Sequence, residues 1–274
     1  MKNRRFLLAL SCIAFLAFLL MPQVNLSSAA AGERHGKQGL GLKLTPEGMG
    51  KRLDVSKYGS GIPLAASVDL TGDLPPIGDQ ENTQSCVGWS TGYYYKTWWE
   101  KQEHPAWNLA DDRYYFSPLF IYNQINGGQD KGSSIYDAMN LLESTGDIDY
   151  EAFPFDGNVY KQPSSSQKEA AKQYRIASDW GYFFAESNWG PYWRANVIND
   201  LKTWLNSGRP LVLGIPIYED FPNYGGNPPS AFYDYDGFSA LDGGHAVYIA
   251  GYDDSAGGGQ GGFLMVNSWG KTWN

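Results

Sequence analysis

The sequence predicts an α+β fold with a mainly helical first half, an antiparallel β second half and a cleft between the two lobes. Apolar side chains recur with helical spacing between residues 85 and 206. Short apolar runs of strand type appear only after residue 210. Helices that are segregated from strands favour α+β over alternating βαβ units. A groove between two such halves is a natural position for a functional site.

Five segments of the first half have the features of helices. The first begins at Ser85, which can cap it, and continues through Glu100 with large apolar side chains. Gly88 and Gly92 lie four residues apart within it, which predicts the close approach of another element. The remaining helices are expected at 117–126, at 135–144 with a stop at Gly146, after a capping box of Ser166 and Glu169, and at 196–206.

Three strands are predicted in the second half, at 211–218, 246–252 and 263–267. The Gly-rich loop 253–262 separates the last two and is of the kind that joins a hairpin. If these two strands pair, His245 just before one and Asn267 at the end of the other become neighbours.

The N-terminus has the features of a secretory leader. Basic residues precede an apolar run over 6–21, and small residues end at Ala31, so we expect cleavage after that residue. An uncleaved membrane anchor is the alternative, but the run is short for a span of about 20 residues. The expected organisation is a signal peptide at 1–31, a short pro-segment or linker at 32–62 and one domain at 63–274, truncated at its C-terminus. The protein is therefore expected outside the cytoplasm.

Charge and composition exclude several classes of function. The net charge is −8, so nucleic acid is not an expected partner, because binding it requires a basic face. Cysteine and histidine offer no cluster of metal ligands, so we expect neither a metal nor another cofactor.

Cys86 is the candidate nucleophile. The chain has two cysteines, and Cys12 would leave with the leader, so Cys86 has no internal disulfide partner. A thiol at a helix N-terminus beside an imidazolium is favoured as the reactive thiolate. A buried cysteine that serves as a small hydrophobic residue is the alternative.

His245 is the candidate base among three histidines. His35 lies in the expected pro-segment, and His104 lies beyond the first helix in a turn-like context. His245 precedes a predicted strand, and an acceptor on its second ring nitrogen would hold the ring in place. The amide oxygen of Asn267 can be that acceptor.

These segments resemble the motifs of papain-like cysteine peptidases. Gln80 stands six residues before Cys86, Gly244-His245-Ala246-Val247 resembles the family's His segment, and Asn267-Ser268-Trp269-Gly270 resembles its Asn segment. The resemblance implies a papain-like two-lobed fold with the active site in the cleft. It also implies that the amide of Gln80 and the backbone N–H of Cys86 hold the oxyanion, and that the substrate is a peptide or protein.

The resemblance also implies the substrate-binding residues. Ser134, Ile135 and Ala246 would line the pocket for the second residue before the scissile bond, which we expect to prefer an apolar side chain. Trp269 would cover the hydrogen bond between histidine and asparagine. Thr83 stands where the family usually has a structural cysteine, which suggests a divergent bacterial branch.

Two other functions remain open at this point. The same groups could transfer the acyl group to an amine in place of water. A papain-like scaffold could also serve as a non-catalytic module that binds proteins or glycans, since 19 tyrosines and 10 tryptophans are good material for binding surfaces.

Overall fold

The protein forms a helical lobe and a β-sheet lobe that pack against each other. The computed structural model describes residues 6–9, 39–46, 49–59, 61–183, 195–221 and 232–271. Helices of the described residues are α1 Ser56–Gly59, α2 Cys86–Gly88, α3 Thr97–Glu103, α4 Pro118–Ile125, α5 Ile135–Ser144, α6 Ser165–Ala171, α7 Ala195–Asn206 and α8 Ala256–Gly259. The strands are β1 Phe6–Ala9, β2 Leu42–Lys43, β3 Ser67–Asp69, β4 Ser133–Ser134, β5 Leu211–Tyr218, β6 Phe232–Tyr233, β7 Leu241–Asp253 and β8 Gly262–Val266.

The helix that begins at Cys86 runs without a break to Glu103, and we call it the central helix. Its middle section, Trp89–Lys96, is π-helical, which no sequence pattern predicted. The start was predicted correctly, but the Ser85 cap was wrong: that side chain makes no cap hydrogen bond. Its hydroxyl is instead 2.6 Å from that of Thr83, because the loop before the helix turns it inward.

The two glycines of the central helix allow neighbouring elements to approach it closely, as predicted. A β-carbon at Gly88 would overlap the backbone carbonyl of Pro118, at the start of α4. A β-carbon at Gly92 would contact the carboxylate of Asp147. Neither neighbour can yield easily, because both are buried.

The other predicted helices are present as α4, α5, α6 and α7. Ser117 caps α4 by accepting a 3.0 Å hydrogen bond from the N–H of Phe120. The capping box before α6 was wrong by two positions, because it consists of Ser164 and Gln167 and not of Ser166 and Glu169. The helix begins at Ser165, so only the Ser164 side chain can reach the free N–H groups of the first turn.

The sheet lobe is centred on β7, which pairs antiparallel with β3, β5 and β8. Buried side chains of these strands pack against α7 to form one hydrophobic core. The strand β7 begins at Leu241, earlier than predicted, so His245 lies inside the strand and not at its start. Pairing with β5 continues past His245, which holds this part of the backbone extended.

The outer edge of β8 is paired with β1, which lies within the predicted leader. The rest of the predicted signal peptide, including its cleavage site, lies outside the described residues. Among the helices that the structure describes, none has the length and apolar character needed to cross a membrane.

Candidate active site

Cys86 is the first residue of the central helix and is completely buried. Burial raises the pKa of its thiol to about 11, while backbone hydrogen bonds from Ala246 and Gly41 lower it in part. The thiol is therefore protonated at neutral pH in this arrangement.

His245 and Asn267 are hydrogen-bonded, with 2.7 Å between Nε2 and Oδ1. Burial lowers the pKa of His245 to about 4, against the smaller opposing effect of the Asn267 hydrogen bond. The imidazole is thus neutral, and its Nδ1 finds no hydrogen-bond partner among the described residues. The ring of Trp269 lies 4.7 Å from that of His245 and is itself 2% exposed, so it keeps water from this pair.

Gln80 is held beside the same motif. Its Oε1 accepts a 2.7 Å hydrogen bond from the hydroxyl of Ser268. Its Nε2 donates to the carbonyl of Thr83 at 2.8 Å and to that of Gly39 at 2.9 Å. The donor that the oxyanion would need is therefore directed at a carbonyl of the N-terminal segment.

The four residues predicted to contact substrate lie at or near the cleft. Ser134 caps α5, accepting from the N–H of Asp137, and Ile135 follows it on the cavity wall. Ala246 is buried beside Cys86, and its carbonyl accepts a 2.8 Å hydrogen bond from Ser90 on the central helix. The Ser90 contact, which sequence reasoning missed, ties the helix of Cys86 to the strand of His245.

Residues 39–46, which we call the cleft segment, cross the site. The strand β2 of this segment pairs in parallel with β4, and Ser133 donates a 2.9 Å hydrogen bond to the carbonyl of Gly41. A β-carbon at Gly39 or Gly41 would overlap the backbone carbonyl of Thr83 or Gln84. Glycine at both positions therefore lets the segment lie directly on the loop that precedes Cys86.

Leu42 of the cleft segment occupies the space between the two lobes. A β-carbon at Gly214 would meet the Leu42 side chain and would lie 3.8 Å from Cδ1 of Ile135. Beyond it the chain pairs with Tyr182 through backbone bonds of 2.8 and 2.9 Å and continues to α1, which packs on α7. A cavity of about 840 Å³ lies beneath this path, with walls from both lobes.

The sequence of the chain matches the model of a known protein family. A model described as "Papain family cysteine protease" matches residues 64–274. The chain belongs to the papain family. It is a cysteine-type peptidase of that family, and its substrates are peptides or proteins.

Solved papain-family structures share the fold. Xylellain, a cysteine protease from Xylella fastidiosa, superposes with a TM-score of 0.65 at 22% identity, covering 89% of each chain. The procathepsin B S9 of Trypanosoma congolense gives a TM-score of 0.59 at 16% identity, covering 86% of this chain and 78% of its own. The predicted α+β papain-like fold is therefore confirmed. A comparison with curated protein sequences finds no match.

This papain-family chain braces the loop before Cys86 with a hydroxyl. Thr83 stands at the position where the resemblance expects a structural cysteine. Its Oγ1 donates a 2.7 Å hydrogen bond to the carbonyl of Gln80 and lies 2.6 Å from the hydroxyl of Ser85. These bonds connect the two ends of the loop.

A second group of polar side chains lies far from this site. Glu100, Glu103 and His104 bring three potential metal-ligand atoms within 4.8 Å of one another. Glu100 already pairs with the buried Lys96, and the ring of His104 stacks on Trp107. The group is near the other end of the central helix, about 20 Å from Cys86 at 1.5 Å per residue, so it takes no part in the Cys86 site.

Proposed function

We propose that this papain-family chain hydrolyses peptide bonds through Cys86. The thiolate attacks the scissile carbonyl, and the oxyanion is held by the backbone N–H of Cys86 and by Nε2 of Gln80. His245 carries the thiol proton to the leaving amine, which leaves a thioester on Cys86. It then takes a proton from the water that releases the acyl group. The observation that best supports this is the buried 2.7 Å bond of His245 to Asn267, because the backbone of the adjacent Ala246 is hydrogen-bonded to the Cys86 thiol.

Activity requires the His245 ring to reach the thiol through Nδ1, the nitrogen opposite the Asn267 bond. Asn267 leaves that nitrogen available and favours the protonated ring. Hydration of an open cleft would remove the burial that now raises the thiol pKa and lowers the imidazole pKa. The ion pair of thiolate and imidazolium would then form.

The cleft segment is proposed to be an inhibitory pro-segment. The carbonyl of Gly39 accepts a hydrogen bond from Nε2 of Gln80, and the backbone of Gly41 is hydrogen-bonded to the Cys86 thiol. A substrate therefore cannot reach the Gln80 amide or the Cys86 thiol while the segment is docked. Leu42 lies between Ile135 and Gly214, in the pocket proposed for the second residue before the scissile bond. An apolar side chain there supports an apolar preference at that substrate position.

Export from the cytoplasm is also proposed, with removal of residues 1–31. The support is the basic start, the apolar run and the small residues ending at Ala31. The chain produced with its own leader in a bacterial host should appear outside the cytoplasm with Gly32 as its first residue. An intracellular chain that begins at Met1 would contradict export.

The test of catalysis is labelling by an epoxide inhibitor of thiol peptidases, followed by mass spectrometry of the folded protein. The wild type, Cys86→Ala and His245→Ala are each compared with and without Gly41→Ala, which is designed to open the cleft. We expect one label, on Cys86, that forms fastest with Gly41→Ala and falls at least tenfold without His245. Equal labelling with and without His245 in folded chains would mean an ordinary thiol and would favour the binding module. Product analysis with an added amine separates hydrolysis from acyl transfer.

A further inference from the structure

One buried hydroxyl connects three of the four segments that carry the proposed catalytic groups, those of Gln80, Cys86 and Asn267. Tyr94 lies on the π-helical section of the central helix and is completely buried. Its hydroxyl donates a 3.0 Å hydrogen bond to the carbonyl of Asn267. The same oxygen accepts a 3.0 Å hydrogen bond from the N–H of Gly78, two residues before Gln80.

The two segments that Tyr94 connects also pair with each other. Residues 78–80 and 268–270 run antiparallel, with a bridge between Asp79 and Trp269. Backbone bonds of 2.7 and 2.9 Å flank this bridge. The short ladder leaves the Gly78 N–H and the Asn267 carbonyl without a backbone partner, and the Tyr94 hydroxyl serves both groups at once.

The orientation of the Asn267 side-chain amide depends on the position of the Asn267 backbone. Oδ1 of Asn267 meets His245 Nε2 and the N–H of Ser268, each at 2.7 Å. Its Nδ2 has no hydrogen-bond partner among the described residues, so nothing described there anchors the far side of the amide. The backbone carbonyl that Tyr94 holds is one bond from the Cα that carries this side chain.

We propose that Tyr94 is a positioning residue for the peptidase reaction and keeps the Asn267 amide directed at His245. The inference rests on the proposed function of Cys86 and His245. The residues of the π-helical section do not carry out that chemistry themselves. Tyr94 acts through Asn267 and does not touch substrate. Loss of its hydroxyl would let the Asn267 backbone move and would weaken the hydrogen bond that favours the protonated imidazole.

Tyr94→Phe and Tyr93→Phe form a matched pair for the test. Tyr93 is the adjacent residue in the same aromatic cluster, with its ring centre 5.1 Å from that of Tyr94. Its hydroxyl also donates to a backbone carbonyl, that of Pro76, at 2.7 Å, away from the catalytic groups. Each change removes one oxygen. Tyr93→Phe loses one hydrogen bond, and Tyr94→Phe loses two, of which one holds Asn267.

The kinetic readouts are kcat, KM and the pH profile, measured on the full chain carrying Gly41→Ala. We expect Tyr94→Phe to lower kcat about tenfold with KM changed less than about twofold. The alkaline limb should move to lower pH, because the imidazolium loses the bond that raises its pKa. Tyr93→Phe should change neither kcat nor that limb, although both variants lower the thermal midpoint. Equal kinetics and limbs for the two folded variants would overturn the inference.

A spectroscopic readout separates this inference from the proposed function. The Nε2–H proton of His245 can be followed in the full chain with ¹⁵N-labelled histidine, without any turnover. We expect Tyr94→Phe, but not Tyr93→Phe, to shift this signal and speed its exchange with water. If the wild type shows no Cys86-dependent turnover yet the signal shifts only in Tyr94→Phe, the peptidase function fails while the positioning contact stands. If Tyr94→Phe does not fold, 3-fluorotyrosine at position 94 retains the hydroxyl and should still shift the signal; an unchanged signal overturns the inference.

Discussion

Replacing Gly41 with alanine should release the cleft segment and raise the activity of the intact chain. The new β-carbon would lie closer than 3.0 Å to the carbonyl of Gln84, within the loop that leads to Cys86. That loop cannot yield, because Gln80 and Thr83 tie it to the rest of the site. The cleft segment must therefore move away.

The size of the effect follows from two contributions. Overpacking of this kind costs about 1–3 kcal/mol. A shift of the segment also breaks the 2.9 Å hydrogen bond from Ser133 to the Gly41 carbonyl, which is worth about 1 kcal/mol. The docked state should thus lose about 2–4 kcal/mol, and since about 1.4 kcal/mol is a factor of ten, the undocked fraction rises roughly 30- to 700-fold.

The assay is the initial rate of hydrolysis of a fluorogenic peptide with an apolar residue at the second position before the scissile bond. Mass spectrometry of the same samples shows that the chain is still intact. Gly72→Ala is the matched control, because Gly72 is exposed and a β-carbon there would have nothing within 4 Å. Cys86→Ala in the Gly41→Ala chain gives the background. A folded Gly41→Ala chain whose rate stays within twofold of the wild type would refute the reasoning.

Three further predictions concern the site and the helix beneath it. Ser268→Ala should lower kcat about tenfold with little change in KM, because Gln80 loses the hydrogen bond that orients its amide. A rise in KM as large as the fall in kcat would contradict this. The folded pKa of His245, about 4 against 6.5, means that its stabilising contribution is complete above pH 6.5 and is lost as pH falls through 4. Urea unfolding at pH 7 and pH 4 should therefore show the wild type losing about 3 kcal/mol more than His245→Gln, and equal losses would refute the assignment. Gly88→Ala should destabilise the fold by about 1–3 kcal/mol through overpacking, while Gly72→Ala stays within about 0.5 kcal/mol; equal thermal midpoints would refute the packing argument.

Most elements of the fold could be predicted because their signals are local. Ser117 and Pro118 predict the start of α4, and Gly146, with a φ of 86°, follows the end of α5. The strand β5 was predicted with its observed bounds, since its apolar run has turn residues at both ends.

The errors occurred where local signals compete. Ser164 and Ser166 both precede a residue that can complete a capping box, so the pattern did not decide between them. Ser85 is a good cap by type, but Thr83 takes its hydroxyl. The π-helical section was not predicted from the sequence; it packs between α4 and β7.

The sequence by itself determined the peptidase class of this chain and the four residues proposed to carry the reaction. Gln80 and Cys86 lie six residues apart on one loop and helix start. His245 lies on β7, and Asn267 directly follows β8, the strand that pairs with β7. The two members of each pair are close along the chain, so local geometry brings them together. The order of the motifs can be read directly from the sequence.

Only the tertiary structure decided how those groups are held and covered. Tyr94 and Asn267 are 173 residues apart, and Gly39 and Gln80 are 41 apart. Such contacts exist only because two lobes pack and a third segment lies between them. No periodicity or cap encodes that packing, since it depends on the fit of whole surfaces.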